Sequence, residues 1–197
     1  FPIYRTYIRA EQKQISETDK DIITSTINKA KKMRPNLNFA IFEFLKSVLL
    51  LQYSQKNAYN FIMRFQQLTG PAMAKGEEDT AFYCFNRFIA LNEVGIDPSI
   101  FGISVENFHK TMKDNAKRQP YSMLTTSTHD TKRSEDVRAR LAVLSEIPNA
   151  WFDIVQQWIM HNEKYHAENV PDRNTQYFLY QNLVGVWPIT KERLLSF

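Results

Sequence analysis

Only two short segments of this sequence have the composition of β-strands, and they lie far apart in the chain. Residues 3–8 carry β-branched and aromatic side chains, and residues 123–128 carry a run of threonines. The block between them, residues 9–120, repeats its apolar residues at helical spacing. Two such distant strands do not make a stable sheet by themselves. We therefore expect a mainly α chain, with a helical insertion plus one or two strand segments of a larger barrel whose other strands lie outside it.

Short polar residues that can cap a first turn mark the expected helix starts. A third helix is expected to end at Gly70-Pro71, and the acidic residues 77–79 are expected to begin the next one, where the helix dipole favours negative charge. Trp151 and Trp158 fall on one helical stripe, which predicts core packing rather than a sugar platform. The expected caps are Ser16, Asn38, Ser104, Ser134, Asn149 and Asn174.

The composition is that of an ordinary globular chain, with 197 residues, 43% hydrophobic and 23% charged, and a net charge of +4. This length suits one domain or a large piece of one. No apolar run approaches the ~18 residues of a membrane span, so no membrane partner is expected. The basic patch at residues 29–34 is interpreted as a solvated helix end, so no nucleic-acid partner is expected either.

The single cysteine and the first residue indicate the cellular compartment of the chain and whether it is a fragment. Cys84 is the single cysteine, which excludes an internal disulfide and favours a reducing, cytoplasmic setting. The chain begins at Phe1 rather than Met and has no signal pattern, so we expect an internal fragment of a longer protein.

The main candidate site is the point where the threonine-rich run ends on His129-Asp130 and turns into a charged helix start. In a (β/α)8 barrel, functional residues stand at the C-terminal ends of strands, and this pair would occupy that place. Position alone leaves a second interpretation open, in which the pair is a buried structural contact at a strand end.

Four stretches carry a resemblance to a known family. TSTHDTKRSEDVRAR, residues 126–140, resembles the fourth signature region of the α-amylase superfamily, and its extension resembles the maltooligosyl trehalose synthase family. Three further stretches resemble the same family in the same order: FPIYRTY, LTGPAMAKGEEDTAFYCFNRFIALNEVGIDP and PDRNTQYFLYQNLVGVWPI. The departures from the family pattern are Cys84 where Arg is common, Ile96 where Gly is common, and Gln176 where Glu is usual.

The resemblance implies an enzyme, an intramolecular transglucosylase. It would convert the reducing-end α-1,4 linkage of a maltooligosaccharide into an α,α-1,1 linkage in trehalose biosynthesis. Retaining chemistry of this kind uses one carboxylate as nucleophile and a second as acid/base. Asp130 matches a third, catalytic carboxylate that stabilises the transition state, and His129 matches a substrate-binding hydroxyl donor beside it. The nucleophile and the acid/base lie on earlier strands, so this chain alone is expected to be inactive.

Four more residues are candidates, each with a plainer alternative. Lys132 and Arg133 are predicted to bind substrate because this loop lines the sugar cleft in the family, but loop charges are more often solvated. Lys75 is predicted to bind substrate, although a lysine beside glycine is usually part of a surface turn. Arg5 is predicted to support the site, or else to form a core or salt-bridge contact.

No cofactor or metal site is expected. His161 and His166 are five residues apart and do not share a helix face as an i, i+4 pair would. One cysteine excludes a thiolate cluster.

We expect four segments: a barrel strand (1–8), a helical insertion (9–120), a strand with the His-Asp motif and its following helix (121–147), and a C-terminal helical segment (148–197). The expected partners are a maltooligosaccharide and the rest of the parent barrel, and exposed barrel faces are expected to make the fragment self-associate. The rival hypothesis is an independent helical module that binds a protein through its aromatic surface without catalysis.

Overall fold

The computed structural model describes residues 1–167 and 170–196 and is mainly helical, as predicted. Short 3-10 turns cover Ala10–Gln12, Ala81–Tyr83, Ile89–Leu91 and Glu163–Tyr165, and one π-helical turn covers Ala74–Glu78. The α-helices of the described residues are α1 (Glu17–Met33), α2 (Phe39–Leu49), α3 (Lys56–Met73), α4 (Val105–Arg118), α5 (Glu135–Glu146), α6 (Pro148–Asn162), α7 (Arg173–Val186) and α8 (Lys191–Leu195). None of these helices combines the length and the hydrophobicity that crossing a bilayer requires.

The two predicted strands do not form as strands in the described residues. Pairing there is limited to the isolated bridges Arg9–Gln14 and Ala167–Val170. The physical reason is that a strand is stable only beside a neighbour that takes up its backbone hydrogen bonds. Next to and within the second segment, the side chains of Tyr121, Met123 and Leu124 are 96%, 96% and 91% exposed. The assignment of both segments to a barrel therefore stays a prediction.

The chain divides into two compact units, and the first, Phe1–Asp79, is built on α1, α2 and α3. Ser16 and Asn38 cap α1 and α2 as predicted. The Ser16 hydroxyl accepts the Asp19 N–H at 3.0 Å, and Asn38 Oδ1 accepts the Ala40 N–H at 2.9 Å. The buried apolar faces meet in a core of Ile8, Ile23, Ile27, Phe42, Val48, Leu49 and Ile62. Burying each large side chain of this kind contributes roughly 1.5–3 kcal/mol.

A glutamine side chain takes the place of a strand neighbour for the first predicted strand. Gln66 is buried, and its Oε1 accepts the Ile8 N–H at 2.6 Å and the Thr6 hydroxyl at 3.0 Å. Its Nε2 donates to the Ile8 carbonyl at 3.1 Å. One amide group on α3 therefore satisfies both backbone groups of a buried residue in an extended segment, as a ladder partner would.

The third helix runs past Gly70-Pro71, where its end was predicted. Pro71 removes one N–H donor near the end of α3, and the helix then continues as the π turn. This turn buries Glu78, whose carboxylate accepts a hydrogen bond from the Tyr4 hydroxyl. Residues 77–79 therefore lie at the end of a helix rather than at its start, and the Glu78 carboxylate is held by a buried contact instead of by a helix dipole.

The second unit, Thr80–Phe197, packs α5, α6 and α7 around one apolar core. Trp151 is buried there, its ring meets Trp158 edge to face at 5.9 Å, and its Nε1 donates to the Tyr177 hydroxyl at 3.0 Å. The prediction that this tryptophan stripe is core is confirmed. The buried members of the cluster are Ile89, Leu141, Leu144, Trp151, Val155 and Tyr180.

The caps in this unit agree only in part with the sequence. Ser104 caps α4 as predicted, by accepting the Asn107 N–H at 3.2 Å. Asn149 does not cap α6, which begins at Pro148, a residue whose fixed φ suits a first turn. Asn174 does not cap α7 either. Asp172 does, by accepting the Thr175 N–H at 2.7 Å, and this backbone hydrogen bond lowers the pKa of its carboxyl.

Gly185 allows α7 to approach α5 closely. A Cβ added at Gly185 would lie 2.8 Å from Val137 Cγ1 and 3.4 Å from Leu141 Cγ. Real Cβ atoms do not approach other atoms to 2.8 Å, so one of the helices or the valine would have to shift. Gly76 in the π turn is the comparison position, because an added Cβ there meets nothing within 4 Å outside its two chain neighbours, neither of which is a proline.

We expect Gly185→Ala to lower the free energy of unfolding by ~1–3 kcal/mol, because the added methyl group overpacks the α5–α7 contact. Gly76→Ala should raise it by up to ~0.5–1 kcal/mol, since alanine loses less conformational freedom on folding than glycine and has open space there. Denaturant unfolding followed by circular dichroism measures both changes. A Gly185→Ala variant as stable as its parent would show that the two helices separate without cost.

Candidate active site

His129 and Asp130 occupy the two central positions of a tight turn, residues 128–131, which we call the His-Asp turn. The Thr131 hydroxyl donates to the Thr128 carbonyl at 2.9 Å, and the Thr131 N–H donates to the same carbonyl at 3.4 Å. The Asp130 N–H donates to the Thr128 hydroxyl at 3.2 Å. Because threonine hydroxyls close the turn on both sides, the imidazole and the carboxylate are left exposed.

A buried glutamate from a distant part of the same unit holds the segment that follows the His-Asp turn. Glu93 is 5% exposed, and its Oε1 accepts the N–H groups of Val94 and Lys132, both at 2.9 Å. Its Oε2 accepts the same Lys132 N–H at 3.1 Å and the Arg133 N–H at 3.4 Å. Hydrogen bonds to an ionised acceptor are stronger than neutral ones, so this carboxylate is a firm anchor for the loop.

The residues before the turn are attached to the start of α5. The Glu135 N–H donates to the Ser127 hydroxyl at 3.0 Å, so Ser127 supplies the cap that the sequence assigned to Ser134. Ser134 stands at the N-cap position, but its side chain makes no capping hydrogen bond. The Thr126 hydroxyl bonds the Glu135 carboxylate, and the Arg138 guanidinium donates to the Thr126 carbonyl.

Arg133, predicted to bind substrate, points its guanidinium toward the unit's interior. Nη1 donates to the Ile89 carbonyl at 3.2 Å, Nη2 lies 3.5 Å from Asn182 Oδ1, and the group stands 5.9 Å from the Phe178 ring centre. Burial lowers the pKa of this guanidinium, and the coulombic attraction of the nearby Tyr83 and Glu93 side chains in their ionised forms opposes that shift. These contacts give Arg133 a structural role, and its sugar-binding role stays a prediction.

The remaining candidates of this loop lie beside each other on its exposed side. His129 and Asp130 are exposed, and Lys132 is half-buried with its backbone N–H on Glu93. An exposed carboxylate and imidazole on a fixed turn can bind sugar hydroxyls. A retaining glycosidase needs two carboxylates for bond cleavage, so this turn supplies at most part of such a site.

Arg5 and Lys75 belong to the first unit. Arg5 Nε donates to the Thr6 carbonyl at 3.2 Å, and the guanidinium lies 4.7 Å from the Tyr7 ring centre. Lys75 stands on the π turn and pairs with Asp79 at 2.5 Å. The roles predicted for both residues stay predictions.

Sequence reasoning missed the anchors Glu93 and Ser127. The signal for Glu93 was an acidic residue two positions after the apolar run of residues 88–91 and directly before Val94, which is where a buried charge with a partner can occur. Ser127 had no distinguishing signal among its neighbouring threonines. No group of three or more His, Cys, Asp or Glu side chains suited to a metal ion occurs within residues 1–167 and 170–196.

Comparison with known proteins shows which proteins this chain is similar to. No family model matches the chain. Over 133 residues, 66% of its length, it is 44% identical to the "Putative maltooligosyl trehalose synthase" of Mycobacterium tuberculosis H37Rv. The structure of maltooligosyltrehalose synthase from Arthrobacter ramosus matches 98% of the chain with a TM-score of 0.79 and 34% identity. That of a Sulfolobus tokodaii hypothetical maltooligosyl trehalose synthase matches 92% with a TM-score of 0.58 and 32% identity.

The chain is homologous to one segment of the maltooligosyl trehalose synthases. It spans 16% of the length of the M. tuberculosis relative. It spans 23% of the A. ramosus synthase chain and 28% of the S. tokodaii chain. The resemblance to this family predicted from the four sequence stretches is confirmed.

The cap of α5 distinguishes two serines that precede this helix, Ser127 and Ser134. We expect Ser127→Ala to lower the free energy of unfolding by ~1 kcal/mol, because the Glu135 N–H loses its acceptor. Ser134→Ala is the matched control and should change it by less than about half as much, since its hydroxyl caps nothing. Denaturant unfolding of both variants measures the difference, and equal losses would contradict the assignment of the cap to Ser127.

Proposed function

We propose that this chain contributes the His-Asp turn to the active site of a maltooligosyl trehalose synthase. Such an enzyme converts the reducing-end α-1,4 linkage of a maltooligosaccharide into an α,α-1,1 linkage by intramolecular transglucosylation. The observation that carries the proposal is an exposed histidine and aspartate on a hydrogen-bonded turn, in a chain that matches a synthase over 98% of its length.

Asp130 acts in this proposal as a transition-state stabiliser. A retaining glycosidase forms an oxocarbenium-like transition state with positive charge near the anomeric carbon. A fixed carboxylate that binds sugar hydroxyls beside that carbon favours this charge more than it favours the neutral substrate. Interactions of this kind, which are stronger in the transition state, raise kcat.

The other predicted residues bind and hold the sugar. His129 donates to a hydroxyl in the same subsite, and Lys132 and Arg133 line the cleft beside it. Lys75 binds substrate from the π turn, and Arg5 supports the site. The nucleophile and the acid/base come from outside this chain, so the chain alone is inactive.

The unpaired apolar segment next to the site supports a barrel as the partner of this chain. Tyr121, Met123 and Leu124 expose nearly their whole side chains, and residues 123–128 have no ladder partner among the described residues. We propose that 1–8 and 121–147 carry strands of a (β/α)8 barrel, that 9–120 is a helical insertion, and that 148–197 is a C-terminal helical segment. Without the rest of the barrel, the exposed faces favour self-association. A cytoplasmic location is part of the same proposal and rests on the single cysteine.

In the full-length enzyme that contains this sequence, we expect Asp130→Asn to lower kcat by about two to three orders of magnitude with little change in KM. The amide keeps the shape of the side chain but removes its charge. Initial rates of trehalose-type product formation from maltopentaose measure the effect. Asp153→Asn, at an exposed position of α6, is the control and should keep the parental rate.

Two results would contradict this assignment of the chemistry. One is a near-parental kcat for Asp130→Asn. The other is transglucosylation of maltopentaose by the 197-residue chain alone.

For Lys75→Ala in the same enzyme, we expect lower turnover with a melting temperature nearly unchanged. The ion pair of Lys75 with Asp79 is exposed and contributes little to stability, ~0.3–0.5 kcal/mol. Lys29→Ala, at an exposed position of α1, controls for the loss of a surface charge. Equal activity of Lys75→Ala and the parent would assign Lys75 to a surface turn.

A further inference from the structure

We propose that Glu93 is a positioning residue for the His-Asp turn and acts on catalysis through Asp130. The proposal rests on the proposed function above and adds to it a residue that touches no substrate. Glu93 lies 37 positions before Asp130 in the sequence. Its carboxylate nevertheless accepts the backbone N–H of Lys132, the second residue after Asp130.

The buried carboxylate of Glu93 accepts hydrogen bonds from backbone N–H groups. Both of its oxygens accept the Lys132 N–H, at 2.9 and 3.1 Å, and Oε2 also accepts the Arg133 N–H at 3.4 Å. The Val94 N–H completes the set at 2.9 Å. With 5% exposure, the carboxylate cannot exchange these donors freely for water.

An amide could not replace this carboxylate, although it has almost the same shape. A carboxylate is an acceptor at both oxygens, whereas the NH₂ of a glutamine is a donor. At position 93 that NH₂ would face the backbone N–H groups of Lys132 or Arg133, donor against donor. The buried guanidinium of Arg133 would also lose a nearby opposite charge. The site therefore discriminates between two side chains of equal size.

The backbone between Asp130 and Lys132, which Glu93 binds, is short and fixed by hydrogen bonds. Only Thr131 separates Asp130 from Lys132, and both the hydroxyl and the N–H of Thr131 are bound to the Thr128 carbonyl. A shift of the Lys132 backbone therefore moves the whole His-Asp turn. A displacement of ~1 Å at a catalytic group can cost on the order of 10²-fold in rate.

The segment that carries Glu93 is itself held by buried amides. Gln181 on α7 is fully buried, accepts the Ile89 N–H at 3.0 Å and donates to the Asn86 carbonyl at 2.9 Å. Asn92, next to Glu93, donates to the carbonyls of Phe82 and Phe85, both at 2.7 Å. Glu93 therefore stands on a fixed backbone, which a positioning residue requires.

The test uses the full-length enzyme that contains this sequence, with Glu93→Gln, Asp130→Asn and the double variant. We expect Glu93→Gln to lower kcat by ~10- to 100-fold with KM within about threefold of the parent. Residues that act as a unit are not additive, so the double variant should be no slower than Asp130→Asn alone. Glu106→Gln, at an exposed position of α4, is the control and should keep the parental kcat.

A second readout needs no activity. Hydrogen exchange of the Lys132 and Arg133 amides, followed by mass spectrometry on the same enzyme, should be faster in Glu93→Gln and unchanged in Glu106→Gln. If Glu93→Gln does not fold, Glu93→Asp keeps the charge but is one methylene shorter, and the same lowered kcat and non-additivity are expected of it.

The outcomes separate the two proposals. Near-parental activity of Asp130→Asn overturns the proposed function. If Asp130→Asn is slow, then a parental kcat in Glu93→Gln, or a double variant slowed by the product of the two single effects, overturns the positioning role of Glu93. Unchanged exchange of the two amides overturns the anchor itself.

Discussion

Buried side-chain groups that bind irregular backbone are the interaction on which both units depend. Gln66 in the first unit and Gln181 in the second each accept one backbone N–H and donate to one backbone carbonyl. An unpaired polar group in a protein interior costs ~1–3 kcal/mol, so a helical protein that carries extended segments needs such partners. Gln66 on α3 and Gln181 on α7 each bind the backbone of a non-helical segment, so these segments are held in place by the helices they pack against.

Glu93 extends the same principle with a charge. Its carboxylate binds two successive N–H groups of a loop that also carries two exposed polar side chains. Buried backbone contacts and exposed side chains are thereby separated along five residues, 129–133. The buried contacts lie at Lys132 and Arg133, and the exposed groups lie at His129 and Asp130. A ligand that binds the exposed groups meets a loop whose shape is already set, so less ordering is required on binding.

How much could be predicted from the sequence depended on whether the signal was local. The caps Ser16, Asn38 and Ser104 were predicted correctly, because a cap is a contact within one turn. The continuation of α3 through Pro71 was missed because a Gly-Pro pair usually ends a helix, and the contact of Glu78 with Tyr4, 74 positions away, has no local signal. The His-Asp pair was predicted as a site from its place after a strand-like run and from its resemblance to a family, whereas the contact of Glu93 with Lys132 spans 39 positions, which no local pattern predicts.

The α5–α7 contact has a consequence for how this segment can vary among related proteins. A Cβ at position 185 would lie only 2.8 Å from Cγ1 of Val137, so there is no room for a larger residue there. A relative with any larger residue there must carry a smaller one opposite, or set its two helices farther apart. The residues at 137 and 185 are therefore expected to change together. The combined size of these two side chains then sets the distance between α5 and α7.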